Sequence, residues 1–195
     1  MKDKDMKLLI SHYKDCLGDI ELIEYNPIKK RKFNPQLILS RANKLHDYNV
    51  VATVGLSDTK LKGLYNNCEL AIVLDKKWKF NLDNIKWSWP FELINFVCNQ
   101  IVAKKPEIGY GKYFENEKKQ TFSPTTNMSV ALLAIPAMFD VKLFEFWNGK
   151  KRTNVFIITT ATNDELKIIK KIGGINFMQH YLMPDGADAF MFHSK

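Results

Sequence analysis

Apolar side chains recur along this chain in two rhythms, one near helical period and one alternating, and the elements follow from where each rhythm starts and stops. Over residues 4–17, Met6, Leu9, Ile10, Tyr13 and Leu17 fall on one helical face, and Gly18 is a fitting stop, so the pattern predicts an amphipathic helix. Residues 20–25 alternate Ile20 and Leu22 against Glu21 and Glu24, and Asn26-Pro27 closes a predicted strand. A further strand is predicted over 37–41. The stretch 48–58, YNVVATVGLSD, then sets the β-branched Val50, Val51, Thr53 and Val54 in front of a Gly-Leu-Ser-Asp turn, the pattern of a buried strand that delivers a short polar loop. Residues 69–75, ELAIVLD, are apolar on both faces and read as its central neighbour.

Farther on, Trp78, Trp87 and Trp89 precede a helix predicted from Pro90 to about residue 104. Phe91, Ile94, Val97, Cys98, Ile101 and Val102 form its apolar stripe, with Glu92, Asn95, Asn99 and Gln100 on its wetter side. The tryptophans at its root read as packing rather than as a ligand-stacking site. Gly109-Tyr110-Gly111 reads as a tight turn, because the third glycine of a dinucleotide loop is missing. Residues 113–123 read as a polar surface loop, and 128–136 as a buried strand ended by Pro136. Segments 143–147 and 152–160 flank Asn148-Gly149, a hairpin signal because both residues accept positive φ. Asn163 is the predicted cap of a helix that stops at Gly173-Gly174; 175–182 continues as a second helical segment, and the tail ADAFMFHS adds an edge strand. The alternation of patterns predicts one α/β (α+β) domain over 1–195, with a mixed, partly antiparallel sheet and packed helices.

Composition narrows the class. A hydrophobic share of 46% with 12% aromatics excludes a disordered chain, and 195 residues suffice for one substantial core. The charged opening MKDKDMKLL lacks the apolar run of a signal peptide, and no apolar stretch approaches the roughly 20 residues of a membrane span. A cytoplasmic location is the expectation. Cys16, Cys68 and Cys98 are odd in number and widely spaced, so they read as free thiols rather than a disulfide or metal framework. The formal charge of +8 raises nucleic acid or another polyanion as a partner, but the surplus is scattered; Lys29, Lys30, Arg31 and Lys32 are the one cluster, and no nucleic-acid motif accompanies them. They read first as a solvated loop.

Candidate chemistry is sparse. No Gly-x-Ser-x-Gly elbow places a serine, and a triad of Ser57 and Asp58 with His12, His46, His180 or His193 has only composition behind it. The histidines lack His-x-x-x-His spacing, no Cys-x-x-Cys is present, and Glu69, Glu92 and Glu165 read as surface or capping residues. The reading is therefore of a non-enzyme without cofactor or metal. Within the Gly-Leu-Ser-Asp loop two readings stand side by side: a self-stabilised turn, since Ser57 and Asp58 can bond neighbouring amides, and a partner contact.

Taken in order, VVATVGLSD (50–58), CELAIVL (68–74), WPFELI (89–94), GYG (109–111), SVALLAIP (129–136) and FIITTATNDELKIIKKIGG (156–174) resemble the suppressor of fused family in its small bacterial single-domain form. The likeness runs from about 48 to 182 and rests on order and spacing; the first 47 residues match in general character only. Two departures stand out. Lys112 follows the glycine pair where family members often carry histidine, so any role of that histidine does not transfer, and Thr160 replaces a proline usual before the last helix. The resemblance implies an α/β fold that works by holding another protein, with no catalytic activity or cofactor. The animal member restrains a transcription factor of Hedgehog signalling with a second domain for which this chain is too short; bacterial relatives look like immunity proteins of polymorphic toxin systems.

Three functions follow, in order. The first is a cytoplasmic immunity protein that neutralises a cognate toxin by binding it; the second is a nucleic-acid or other polyanion binder; the third is a hydrolase. Gly55, Leu56, Ser57 and Asp58 enter as partner-binding candidates from the family block, joined by Tyr113, Glu115 and Glu117 from the polar segment.

Overall fold

The structure, a computed structural model, describes residues 3–25, 33–116 and 120–194. The basic cluster Lys29 to Lys32 and Glu117 lie outside the described residues. Its frame is a sheet in the order β1-β2-β3-β4-β8-β6-β5, made of β1 (Glu21–Ile23), β2 (Gln36–Ser40), β3 (Tyr48–Val54), β4 (Cys68–Asp75), β5 (Tyr113–Glu115), β6 (Met128–Ala134), β7 (Glu145–Trp147), β8 (Arg152–Thr162) and β9 (Met191–Phe192). β4 runs parallel to β8 and β9, and the other pairs are antiparallel. The mixed sheet expected from the pattern is thus present, with the 69–75 strand at its centre.

Alternation sorts each strand between two faces. Leu70, Ile72 and Leu74 join Phe156, Ile158, Ala131 and Leu133 under the helix α2 (Ile85–Lys104). On the opposite face, Ile38, Val50, Ala52 and Ala71 meet Leu9, Tyr13 and Leu17 of α1 (Asp3–Leu17), while Val130, Leu132 and Ile157 meet α3 (Asn163–Ile172) and Phe177 of α4 (Gly174–Phe177). Three layers result, with helices on both faces. That explains why β4 is apolar on both sides.

Several local expectations change. α2 starts five residues before Pro90, because the Asn84 side chain accepts from the Lys86 N–H at 2.9 Å and caps an earlier first turn. Its supposed wet side is partly covered, with Asn95 buried and Glu92, Asn99 and Gln100 half-buried. The amide of Asn99 clasps the backbone of Phe33 through both its oxygen (3.1 Å) and its nitrogen (2.6 Å), and Tyr25 donates to Glu92. In β1 the inward residue is Ile23, and Leu22 is 59% exposed. The cap of α3 is Thr162 rather than Asn163: its hydroxyl accepts from the Glu165 N–H (3.2 Å) and Glu165 accepts from the Thr162 N–H (2.7 Å), a reciprocal capping box. At the hairpin only Gly149 takes positive φ; Asn148 acts instead through its side chain, accepting from the amides of Lys150 (2.9 Å) and Lys151 (2.7 Å).

The two glycine motifs are halves of one contact. Gly111 has a φ of +81°, and a Cβ there would lie 2.6 Å from the Ile175 amide nitrogen; a Cβ on Gly174 would overlap the Gly111 carbonyl oxygen. Gly-Tyr-Gly and Gly-Gly therefore let the turn before β5 abut the start of α4. The tail, expected at an edge, lies inside the sheet: β8 pairs with Cys68 to Ala71 of β4, and β9 takes the place beside Val73 and Leu74.

Candidate functional site

β3 hands over to its loop at Gly55, whose φ of 105° suits glycine, and Leu56–Asp58 closes a single 3-10 turn. What holds this turn is Glu69. Although it belongs to an apolar run, its side chain is wholly buried. One carboxylate oxygen accepts from the N–H groups of Gly55 (2.9 Å) and Ser57 (3.0 Å), and the other from the Leu56 N–H (3.2 Å) and the Thr53 hydroxyl (2.6 Å). Thr53 in turn accepts from the Leu70 N–H at 2.9 Å, and the Tyr13 hydroxyl donates to the Thr53 carbonyl at 3.0 Å, tying the network to α1. Burial pushes the Glu69 carboxyl above its ordinary value, with the hydrogen bonds from Thr53, Ser57 and Gly55 pulling the other way. Its expected place as a surface or capping residue is overturned. An acid within a strand apolar on both faces must have internal partners, and that was the legible signal.

This clamp divides the Gly-Leu-Ser-Asp block. Leu56 packs under α2 and Ser57 is buried, whereas Gly55 is partly exposed and Asp58 faces water. The Lys151 ammonium donates to the Ser57 carbonyl, joining the loop to the β7–β8 hairpin. Asn67 adds a second joint, its side chain donating to the Arg152 carbonyl (3.2 Å) and its own carbonyl accepting from the Asn154 N–H (3.1 Å). One end of the sheet thus carries two braced loops, and they present Leu64 (77% exposed) and Trp147 (60% exposed) to solvent. Neither was singled out from the sequence, where each reads as part of an ordinary element.

The other candidates lie elsewhere. Tyr113 and Glu115 belong to β5, at the sheet edge, with β4, β8 and β6 between them and β3; four strand spacings amount to roughly 20 Å. The segment expected as a polar loop begins instead as the three-residue strand β5, where Phe114 is buried; farther along, Phe122 packs on Phe96 at 5.5 Å. Glu115 pairs with Lys170 at 2.9 Å. These residues form a second surface, separate from the loop after β3.

Geometry does not favour the triad. The small crevice lined by Ser57 and Asp58 is completed by Asp5, Leu9, Phe146, Asn148, Lys151 and Thr153. No histidine lines it among the described residues. The Ser57 hydroxyl bonds Glu69, a carboxylate already occupied by three amides. Burial raises the thiol of Cys16 to about 11, that of Cys68 higher still, and that of Cys98 well above its ordinary value, so the three free cysteines stay protonated near neutrality. No group of three metal-ligating side chains is found among the described residues, and no helix among them is long and apolar enough to cross a membrane.

Helices on both faces of a mixed sheet, with braced loops at one end, define a mixed α/β domain, the fold of a family of protein-interaction domains. The sequence profile of the suppressor of fused protein (SUFU) family matches residues 34–191, and the chain belongs to that family. A homologue of this family from Neisseria gonorrhoeae is similar in structure, with a TM-score of 0.63 at 11% identity over 89% of this chain and 86% of the homologue. Sufu in its complex with Fu is similar with a TM-score of 0.66 at 16% identity, covering 96% of this chain and 88% of that one. Drosophila Suppressor of Fused gives 0.60 at 15% identity, and there 96% of this chain covers 49% of the larger protein. At such identities the structures establish the fold alone. Among curated proteins no sequence matches significantly.

Proposed function

We propose that this chain binds and restrains a protein partner, as a cytoplasmic immunity protein that neutralises a toxin encoded beside it by covering its working surface. The observation that carries the reading is the internal bracing of the loop after β3. Three consecutive amides converge on a buried carboxylate, so the surface is formed before any partner arrives and little ordering entropy opposes binding. Membership of an interaction family supports the same conclusion, and Sufu, a structural relative, has been crystallised with Fu. Gly55 and Asp58 reach the partner directly; Leu56 and Ser57 shape the backbone from below. Tyr113 and Glu115 offer a second contact at the β5 edge.

The neighbouring reading frame supplies the test. Its product, expressed alone, is expected to be toxic; co-expression with this chain restores growth, and the two copurify. A neighbour that stays toxic in the presence of this protein, with no complex surviving purification, sinks the immunity reading.

A further inference from the structure

At the end of the sheet opposite the loop after β3 lies a crevice of about 460 Å³. Tyr48, the first residue of β3, stands opposite Asp75 at the end of β4, and β9 runs along the far side of β4 with Met191 beside Val73. Tyr48 packs on both the α1 cluster and the α3–α4 cluster, so the crevice opens where the two helical packs on that face meet. Its volume falls within the roughly 300–1,000 Å³ of small-molecule sites.

Tyr48, Phe139 and Met191 give the crevice its apolar surface, with the Tyr48 and Phe139 rings edge to face at 5.0 Å. Charge of both signs surrounds it. Asp47 lines it just before β3 and Asp188 just before β9, and the turn after β4, between the two, carries Lys76 and Lys77. None of these four forms an ion pair among the described residues. The third carboxylate, Asp75, is already occupied by Ser194 and the Lys77 N–H and serves to fix the wall. His193 is engaged as well, its ring nitrogen 3.3 Å from the Asp188 carbonyl oxygen.

We infer that this crevice binds a short peptide with both termini free. Its ammonium meets Asp47 or Asp188, its carboxylate meets Lys76 or Lys77, and an aromatic or aliphatic side chain rests against Tyr48, Phe139 and Met191. A ligand of one sign would be drawn to one set of charges and repelled by the other. The two sets stand at the ends of neighbouring strands, roughly 4.8 Å apart. The ends of a dipeptide span such a distance, whereas a free amino acid bears both charges on one carbon. β3 is seven residues long, which puts the crevice roughly 20 Å from Gly55, so the inference does not rest on the partner-binding reading.

The probe is leucyl-phenylalanine, titrated into isotope-labelled protein at about 0.15 M salt, with its N-acetylated and C-amidated forms and glycylglycine as comparators. The dipeptide is expected to bind with a dissociation constant below about 1 mM and to shift amide signals of residues 47–48, 75–77, 139 and 187–193. Acetylation, amidation and loss of both side chains are each expected to weaken it at least about tenfold. In the double variant Asp47→Asn, Asp188→Asn acetylation should no longer matter, and in Lys76→Gln, Lys77→Gln amidation should no longer matter. Weaker binding, shifts confined to other surfaces, or blocked peptides that bind as tightly as the free one overturns the inference. So does a penalty for acetylation or amidation that persists in full in the matching variant. The comparators act on the unaltered protein, so a variant that fails to fold leaves the test standing. No step uses the neighbouring gene product, and this inference and the partner reading therefore fail separately.

Discussion

Glu69 decides what the loop after β3 is for. A carboxylate wholly removed from water costs several kcal/mol unless donors surround it, and here three amides and two hydroxyls do so. Glu69→Gln keeps the shape but turns an N–H₂ toward those donors. It is expected to destabilise the fold by about 1–3 kcal/mol in urea unfolding, and to speed amide exchange at Gly55, Leu56 and Ser57 before exchange elsewhere. Unaltered exchange at those three amides would show that the turn stands without the clamp.

Among the elements, β9 is short, and the Asp75 side chain ties down the residue that follows close behind it. The strand has two residues, and it lies beside β4 with Phe192 against Trp89 at a ring distance of 5.0 Å. Asp75, at the end of β4, accepts from the Ser194 N–H (2.8 Å) and hydroxyl (2.7 Å) and from the Lys77 N–H. Partial burial alone would raise the Asp75 carboxyl; the donors from Ser194 and Lys77 outweigh it and hold the group below its ordinary 3.8. A depressed carboxylate contributes stability that is present above its unfolded value and is lost as pH falls through the folded one. The anchor should therefore persist at pH 5 and release at a pH below 3.8. Asp75→Ala is expected to raise amide exchange at Met191 and Phe192 at neutral pH, and acid should produce the same change in the unaltered protein. Protection of β9 that ignores both would place its hold in Phe192 packing instead.

Over the whole molecule, the sheet is shared by both helical layers, so neither layer can leave without exposing the other's floor. α2 covers Leu70 and Ile72 while α1 and α3 cover Ala71 and Ile157, from the same strands. We expect a single cooperative transition. Far-ultraviolet dichroism, which reports the helices and sheet, and tryptophan fluorescence, dominated by Trp78, Trp87 and Trp89 at the root of α2, should give coincident denaturation curves. Two separated transitions would divide the chain into independent units.

Periodicity along the chain was enough to locate β3, β4, β6, the hairpin, α1 and α3, because a strand or helix that buries one face must repeat its apolar residues at the period of that element. The family was legible for a related reason: motif order follows the order of elements. Boundaries were less so, since Asn84 and Thr162 are caps only through the bonds they make. What no linear pattern contained is which distant groups meet. The place of Glu69 in an apolar strand calls for internal partners, but only the fold shows that they are the amides of a turn up to fourteen residues earlier, and Gly111 and Gly174 look like separate punctuation until their backbones touch. The exposure of Trp147 belongs with these. It alternates correctly for a strand, yet it is 60% exposed, because burial is decided by what packs across from a residue and not by the residues beside it.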